Sequence, residues 1–180
     1  AGLVGKYWFE KLARLAVEVD VASELRYREP VYPKDGAALF ISQSGETADT
    51  LAALRDAKAQ GQTTLAVVNV PESSIAREAD IVLPTFAGPE IGVASTKAFT
   101  CQLATLASLA LAAGRMRKTL SAAQEAELCA ALLETPRHIV EMLKNEAKIE
   151  ALGADIAKAQ DVLYLARVVN YPLALEGALN

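Results

Sequence analysis

The sequence predicts an α/β fold in which a parallel sheet lies between layers of helices, a three-layer sandwich. Short apolar runs rich in β-branched residues alternate along the chain with longer helical patterns. The run over residues 37–41 is apolar throughout, as expected for a strand that is buried on both faces. Glycine and proline cluster between these segments, where they mark turns. Strands that alternate with helices in this way form parallel sheets with right-handed connections.

The chain begins within a helical pattern, because Leu3, Tyr7, Trp8, Leu12 and Leu15 follow one another at spacings of one to four residues. It also lacks an initial methionine and stops inside another helical pattern. We therefore expect it to be part of a longer protein, with a fold that is truncated at both ends.

The next segments predict a strand over residues 17–22 and a short helix that Ser23 caps and Pro30 ends. Residues 33–36, Pro-Lys-Asp-Gly, form a turn. A strand over residues 37–41 follows the turn. We expect the helix over residues 47–60 to end at Gly61.

Strand and helix patterns continue to alternate as far as the long apolar helix. A strand is predicted over 63–70, a short helix opens at 71–74, and another strand covers 80–83. A loop over 84–94 leads to Ser95 or Thr96, either of which caps a helix that we expect to be buried on most sides. The apolar core of that helix spans residues 98–113.

The second half predicts a different organisation. Residues 121–159 are helical and more polar, with Pro136 marking a break between two helices. A new apolar strand over 161–168 precedes a helix that begins at Pro172. We therefore expect a first lobe over 1–120, a helical connector over 121–160, and the start of a second lobe over 161–180.

Composition excludes several classes of protein. Of the 180 residues 52% are hydrophobic and 22% charged, which is enough for a core and unlike a disordered chain. A net charge of -4 and a pI near 5.1 argue against a nucleic-acid or membrane surface. Any anionic ligand must therefore be held by a local group of donors.

The cysteines and the apolar segments predict a cytoplasmic protein. Cys101 and Cys129 are far apart, which matches neither a disulfide framework nor a zinc site. The longest apolar stretch, residues 98–113, is interrupted by Gln102 and is shorter than the roughly 20 residues that span a bilayer. We expect no signal peptide, no metal and no cofactor.

The segment of residues 42–47, called here the 42–47 turn, joins an apolar strand to a helix. Helix starts carry free N–H groups and the positive end of the helix dipole, so they stabilise anions. Further donors come from three hydroxyls and an amide, and a glycine allows close approach. These residues are Ser42, Gln43, Ser44, Gly45 and Thr47. The segment is consistent with a phosphate site or with a simple helix cap.

A second loop belongs to the same edge of the predicted sheet. Ligands of parallel sheets bind at the carboxyl ends of the strands. The 42–47 turn and the loop over 88–95 both follow strands, so both can face one pocket.

Other candidate residues each have a structural alternative. The positive charge of Lys97 in the first turn of a helix opposes the helix dipole, and a nearby anion would offset this cost. The alternative is that Lys97 is simply solvated. Glu46 fits a helix-start carboxylate better than an acid catalyst. Glu176 is the acid near the predicted second lobe, with a structural role as its alternative. His138 has no acid or nucleophile cluster beside it, so we expect it to face solvent or to cap a helix.

The aromatic cluster of Tyr7, Trp8 and Phe9 has few basic neighbours, namely Lys6 and Lys11. It therefore predicts core or interface packing and not a stacking platform for bases.

Three motifs carry a resemblance to a known family. They are SQSGETADTLAALR from Ser42, EIGVASTKAFTCQL from Glu90 and YPLALEGAL from Tyr171. Together they resemble the flavodoxin-like sugar-isomerase (SIS) domains of glutamine:fructose-6-phosphate aminotransferases. The resemblance implies a two-lobed isomerase that binds fructose 6-phosphate and forms glucosamine 6-phosphate. It also implies a homodimer, and ammonia from an amidotransferase domain whose cysteine nucleophile matches neither Cys101 nor Cys129.

The resemblance also implies roles for individual residues. Ser42, Gln43, Ser44 and Thr47 would hold the phosphate. Val93 and Ser95 would contact the sugar through backbone and hydroxyl groups. The further candidates at this site and in the second lobe are Gly45, Ala94, Lys97 and Glu176.

The catalytic residues that the family uses would fall outside this chain. Its Gly-Thr-Ser turn would precede Ala1, and its glutamate base, ring-opening histidine and C-terminal lysine would follow Asn180. Asn180 stands where the family usually has lysine, and Ala166 and Val168 stand where glycines are typical. We assign no catalytic residue here and expect the chain alone to be inactive.

Two other functions fit the same sequence. SIS folds also occur in regulators that sense phosphosugars without transforming them, and the lack of acid-base residues here is compatible with such a binding module. A structural dimerisation domain would use the helix over 98–113 without any ligand.

Overall fold

The computed structural model describes residues 1–91 and 95–179. The chain divides into two compact units. The first unit contains Ala1–Lys6 and Ala16–Leu109, and the second contains Tyr7–Leu15 and Ala110–Asn180. The predicted lobe boundaries at residues 120 and 160 concern the longer protein and stay a prediction.

The first unit contains a parallel sheet of three strands in the order β1-β2-β3. The strands are β1 (Ala37–Ser42), β2 (Thr63–Val68) and β3 (Ile81–Pro84). They end level with one another, since Ser42 pairs with Val68 and Val68 with Pro84. The predicted parallel sheet is therefore confirmed, and its carboxyl edge is formed by three adjacent strand ends.

Helices cover both faces of this sheet. On one face α3 (Ala48–Ala59) and α4 (Ser74–Glu78) bury a cluster that contains Phe40, Ala53, Leu54, Ala57, Ala66, Val68, Ile75 and Ala76. On the other face α1 (Gly2–Trp8) approaches Ile41 at Gly2 and Leu106 of α5 (Lys97–Met116) at Gly5. Successive residues of β2, such as Val67 and Val68, are both fully buried because each faces one of these layers.

The ends of α3 and α4 follow from local chemistry. Thr47 has the extended backbone of an N-cap residue, with φ -64° and ψ 115°, and Ala48 begins the helix. After α3, Gly61 adopts φ 78°, which confirms that the helix ends there. Ser73 caps α4 by accepting a hydrogen bond of 3.4 Å from the N–H of Ala76. Short α2 (Ala22–Leu25) completes the helices of the first unit before α5.

Helix α5 is longer than its predicted apolar core, and most of its surface is buried or half-buried as predicted. One stripe is exposed, and it consists of small residues, Thr100, Ala104, Ser108 and Ala112. No helix within residues 1–91 and 95–179 is long and apolar enough to cross a membrane.

The second unit is helical. After a π-helical segment, Phe9–Ala13, come the end of α5, α6 (Ala122–Leu143) and α7 (Glu146–Ile156). A 3₁₀ turn, Val168–Asn170, then leads into α8 (Tyr171–Leu179). Arg117 donates to the Ala13 carbonyl at 2.7 Å, and Thr119 donates to the Leu12 carbonyl at 2.5 Å. These two bonds tie the π-helical segment to the residues after α5.

Two predicted strands are wrong. Residues 17–21 and 161–167 have no regular secondary structure, and no described strand pairs with either. A strand needs a neighbour for its backbone hydrogen bonds, however apolar its sequence. Ser23 also does not cap α2, because Val21 occupies the N-cap position and Ser23 lies within the helix.

The predicted break at Pro136 is also wrong, because α6 continues through this residue. Ser121 and Gln124 form a capping box that fixes the start of α6. Proline removes one interior hydrogen bond, and the remaining turns of a 22-residue helix keep it continuous. The helix ends instead at Leu143, where Lys144 is the C-cap residue, and Asn145 is the N-cap residue of α7.

Candidate functional site

The hydroxyls of the 42–47 turn hold the turn itself in shape. Ser42 ends β1 and is buried, and its Oγ accepts a hydrogen bond of 3.0 Å from the N–H of Gly45. The same Oγ lies 3.0 Å from Thr47 Oγ1, so the two hydroxyls share a hydrogen bond. Ser44 Oγ accepts from the N–H of Glu46 at 3.2 Å. The predicted hydroxyls are thus brought together at the start of α3.

The backbone of the turn is also fastened to its neighbours. The Asn69 N–H donates to the Gln43 carbonyl at 3.2 Å, which joins the turn to the end of β2. The Ile75 N–H donates to the Gly45 carbonyl at 3.0 Å, which joins it to α4. These bonds give the turn a defined geometry.

Glu46 caps α4, not α3. Its Oε1 accepts a hydrogen bond of 2.7 Å from the N–H of Ser74. This bond, with a smaller contribution from the Arg77 charge, holds the pKa of Glu46 below its ordinary value. An ionised carboxylate with a structural partner agrees with the interpretation of Glu46 as a helix-start carboxylate.

Gly45 is required by the close approach of α4. It has φ 67°, a left-handed conformation that residues with a Cβ rarely adopt. A Cβ at this position would lie 1.9 Å from Ser73 Oγ. The glycine therefore lets the turn pack against the start of α4.

The start of α3 presents the donors that an anion needs. The first N–H groups of a helix have no partner within the helix, and the dipole's positive end lies there. The Thr47 side chain makes no capping bond to these groups, and Thr47 and Ala48 are exposed. Asp49 in that turn forms an ion pair of 3.0 Å with Arg26, which offsets its negative charge. The arrangement can hold a phosphate without a metal or a lysine.

The loop after β3 contributes one buried donor. Ser95 Oγ is buried and has no hydrogen-bond partner among the described residues. Glu90 Oε2 accepts from the N–H of Ala98 at 3.0 Å, so its carboxylate caps α5. Lys97 is the first residue of α5 and is exposed. The predicted site residues Val93 and Ala94 lie outside the described residues.

Two residues that hold this loop were not predicted. Glu90 caps α5, and Asn69 binds three groups of the loop, at Thr85, Ala87 and Gly88. The available signal for Asn69 was a polar residue directly after the apolar strand β2. Because β1, β2 and β3 end level with one another, the 42–47 turn and this loop leave the same edge of the sheet.

The remaining candidates lie away from this edge of the sheet in sequence, and His138, Glu176 and Cys129 belong to the second unit. His138 is exposed on α6, which confirms its predicted position, and Glu176 is half-buried in α8. Cys129 is exposed and Cys101, in α5, is half-buried. No group of three acidic, histidine or cysteine residues within the described ranges could hold a metal ion.

The predicted aromatic cluster borders a cavity. Tyr7 and Trp8 are half-buried and line an open pocket of about 330 Å³ in the second unit. The other residues around it are Glu10, Lys11, Arg14, Val168 and Val169.

Comparison with known proteins identifies the relatives of this chain. The sequence model of the SIS domain family matches residues 1–112. Glutamine–fructose-6-phosphate aminotransferase (isomerizing) of Bradyrhizobium diazoefficiens is 65% identical over 180 residues, which are 100% of this chain and 30% of the relative. The enzyme of the same name from Mesorhizobium japonicum is 60% identical over the same share of both chains. The chain thus spans 30% of the length of these relatives.

Solved structures agree with the sequence comparison. The C-terminal domain of glucosamine-fructose-6-phosphate aminotransferase from Francisella tularensis matches with a TM-score of 0.96 and 42% identity. The match covers 99% of this chain and 51% of that one. Glucosamine-6-phosphate deaminase from Thermotoga maritima matches with a TM-score of 0.78 and 25% identity, over 98% of this chain and 52% of that one. The predicted family resemblance is confirmed.

Proposed function

The chain belongs to the SIS domain family, and from this premise we propose that it binds fructose 6-phosphate as part of an isomerising glutamine:fructose-6-phosphate aminotransferase. One relative of that name shares 65% of its residues over its whole length. The observation that carries the proposal is the 42–47 turn, where Ser42 and Thr47 converge on the open first turn of α3. Such a site suits the phosphate of a phosphosugar.

The proposed contacts divide between the turn and the loop. Ser42, Gln43, Ser44 and Thr47 hold the phosphate, with Gly45 shaping the backbone. Val93 and Ser95 contact the sugar, with Ala94 and Lys97 as neighbours. A buried hydroxyl without a partner is costly, and a sugar hydroxyl would supply the missing bond to Ser95 Oγ.

The complete reaction belongs to a longer protein. We infer that residues 1–120 form most of a first lobe, 121–160 a connector, and 161–180 the start of a second lobe. An amidotransferase domain of the same chain would supply ammonia. Sugar ring opening and imine formation at C2 precede proton transfer from C1 to C2, which gives glucosamine 6-phosphate. The base for that transfer lies beyond this segment, so Glu176 keeps a structural role here.

The phosphate contacts can be tested by calorimetry on the full-length protein that carries this segment. Replacing both Ser44 and Thr47 with alanine removes two bonds to a charged group, each worth about 1.5–3 kcal/mol, so fructose 6-phosphate should bind at least about a hundredfold more weakly. Thr105→Ala is the matched control, because the Thr105 hydroxyl bonds within α5 to the Cys101 carbonyl. Unchanged affinity in the double variant would contradict the assignment.

The oligomeric state and the activity can both be measured on the full-length protein. We propose a cytoplasmic homodimer, for which light scattering should report twice the mass of one chain. Turnover of fructose 6-phosphate with glutamine would support the proposed aminotransferase function. Tight binding of the phosphosugar without turnover would instead identify a regulatory binding module.

A further inference from the structure

We propose that Asn69 is a positioning residue for the sugar, because its side chain holds the loop after β3 while its backbone holds the 42–47 turn. This inference rests on the proposed function, since it concerns the same binding site. Asn69 directly follows β2 and is half-buried. It touches both segments that are proposed to bind the ligand.

The side chain of Asn69 makes three hydrogen bonds to one loop. Oδ1 accepts from Thr85 Oγ1 at 3.1 Å and from the N–H of Ala87 at 2.8 Å. Nδ2 donates to the Gly88 carbonyl at 2.7 Å. Two acceptor bonds and one donor bond fix the orientation of the amide and engage three residues of the loop within positions 85–88.

The backbone of Asn69 reaches the other segment. Its N–H donates to the Gln43 carbonyl at 3.2 Å, within the 42–47 turn. One residue thus bonds to the proposed phosphate site on one side and to the loop before Ser95 on the other. The loop is also fixed farther along, where Glu90 caps α5 at Ala98. If residues 85–88 lost their bonds to Asn69, the first part of the loop would shift relative to the 42–47 turn, where the phosphate is proposed to bind.

A mutation of the Asn69 side chain can test the loop contacts without changing the bonds that shape the turn. The turn keeps its shape through the Ser42–Thr47 hydroxyl pair and through Gly45 bonded to α4, and neither involves the Asn69 side chain. A change at that side chain should disturb contacts with the sugar and leave the phosphate contacts in place. Inorganic phosphate and fructose 6-phosphate therefore report on different parts of the site.

The test compares these two ligands by calorimetry on the full-length protein. Asn69→Asp keeps both acceptor bonds but places a carboxylate oxygen against the Gly88 carbonyl in place of the donor. We expect fructose 6-phosphate to bind about tenfold more weakly and inorganic phosphate to change by less than about twofold. Thr85→Val removes only one hydroxyl donor and should weaken phosphosugar binding in the same direction by a smaller factor.

Asn145→Ala is the matched control. Its amide also donates to a backbone carbonyl, at Met142, but it lies between α6 and α7. Neither ligand should bind differently to this variant. Equal weakening of both ligands by Asn69→Asp and Thr85→Val would indicate a purely structural role and overturn the inference, as would no change for either ligand. A wild-type protein that binds neither ligand would contradict the proposed function and this inference together.

Discussion

Replacing Gly45 should have a large effect on stability, because two separate constraints act at this residue. Gly45→Ala forces a Cβ into a left-handed backbone, which costs about 1–2 kcal/mol. The new Cβ would also lie 1.9 Å from Ser73 Oγ, so the turn must move away from α4. We expect the free energy of unfolding in urea to fall by more than about 3 kcal/mol, with loss of phosphosugar binding.

Gly61 offers a matched control for this prediction. It also has a positive φ, 78°, but an added Cβ would have no neighbour within 4 Å. Gly61→Ala should therefore cost only the backbone term, about 1–2 kcal/mol, and leave ligand binding unchanged. Equal losses in the two variants would show that the contact between the turn and Ser73 is unimportant.

Val168 is a position where a substitution should stabilise the chain. It has φ 53°, which is unfavourable for a β-branched side chain, and the resemblance to the family predicts glycine there. Val168→Gly relieves about 1–2 kcal/mol of strain and adds about 0.5–1 kcal/mol of backbone entropy in the unfolded chain. We expect the free energy of unfolding to rise by roughly 0.5–1 kcal/mol.

The neighbouring valine provides the control for this expectation. Val169 has no positive φ and is half-buried. Val169→Gly should therefore lower the free energy of unfolding by about 1 kcal/mol or more. If thermal unfolding shows both glycines to be destabilising, the strain at Val168 is negligible.

The sequence predicted the residues of the turn but not all those that hold the loop. Ser42, Gly45 and Thr47 lie within one short segment, whose strand-to-helix chemistry is visible locally. Asn69 lies 16 residues from its partner Thr85, so no local pattern joins them. Long-range side-chain bonds of this kind depend on strand order, which the sequence alone does not state.

At the scale of elements, one carboxylate joins α3, β2 and β3. Asp80 precedes β3 and forms an ion pair of 2.7 Å with Lys58 of α3. Its other oxygen accepts from the N–H and hydroxyl of Thr64, at 2.9 and 2.7 Å. Lys58 first, and then Thr64, hold the pKa of Asp80 well below its ordinary value.

This network predicts a pH-dependent contribution to stability. A carboxyl group with a lowered folded-state pKa stabilises the fold above its unfolded pKa, near 4, and loses that effect as the pH falls. Asp80→Asn should therefore unfold at lower urea concentration than the wild type at pH 7. The difference between the two midpoints should narrow steadily below about pH 4.

Lys158 gives the control for an ordinary surface pair. It lies 2.8 Å from Asp155, and both side chains are about three-quarters exposed. Such pairs contribute little to stability, so Lys158→Met should leave the urea midpoint nearly unchanged both at pH 7 and below about pH 4. A constant difference between wild type and Asp80→Asn at every pH would contradict the role assigned to the carboxylate.

Elements were predicted best where their partners are also in the chain. Strands β1, β2 and β3 pair with one another, and each was predicted to within two residues at its ends. Residues 161–167 have a similar apolar pattern, but no described strand pairs with them, and Leu163 and Leu165 are exposed. Pattern specifies which face a strand would bury, whereas a strand forms only when a neighbour accepts its hydrogen bonds.

At the scale of the whole molecule, we expect the 180-residue chain to be catalytically inactive. Proton transfer needs a base within hydrogen-bond reach of the carbon-bound proton. Glu176 would precede the family's glutamate by about two helical turns, roughly 10 Å along the axis. Incubation with fructose 6-phosphate and ammonia should yield neither amino sugar nor aldose phosphate. Turnover that Glu176→Gln abolishes would show that Glu176 is the base.

The second unit exposes many large apolar side chains. Helices α6 and α7 contain no fully buried residue. They expose large apolar side chains, at Leu133, Ile139, Val140, Met142, Leu143, Ile149 and Leu152. Large apolar side chains that are exposed in such number favour a contact surface.

The bond from Ile75 to the Gly45 carbonyl makes one amide a natural probe of the turn. Ile75 is fully buried, and its N–H exchanges with deuterated solvent only when the turn separates from α4. A ligand that binds the closed turn makes that opening rarer in proportion to its occupancy. The exchange rate at Ile75 therefore measures ligand binding at the 42–47 turn without a catalytic assay or an introduced label.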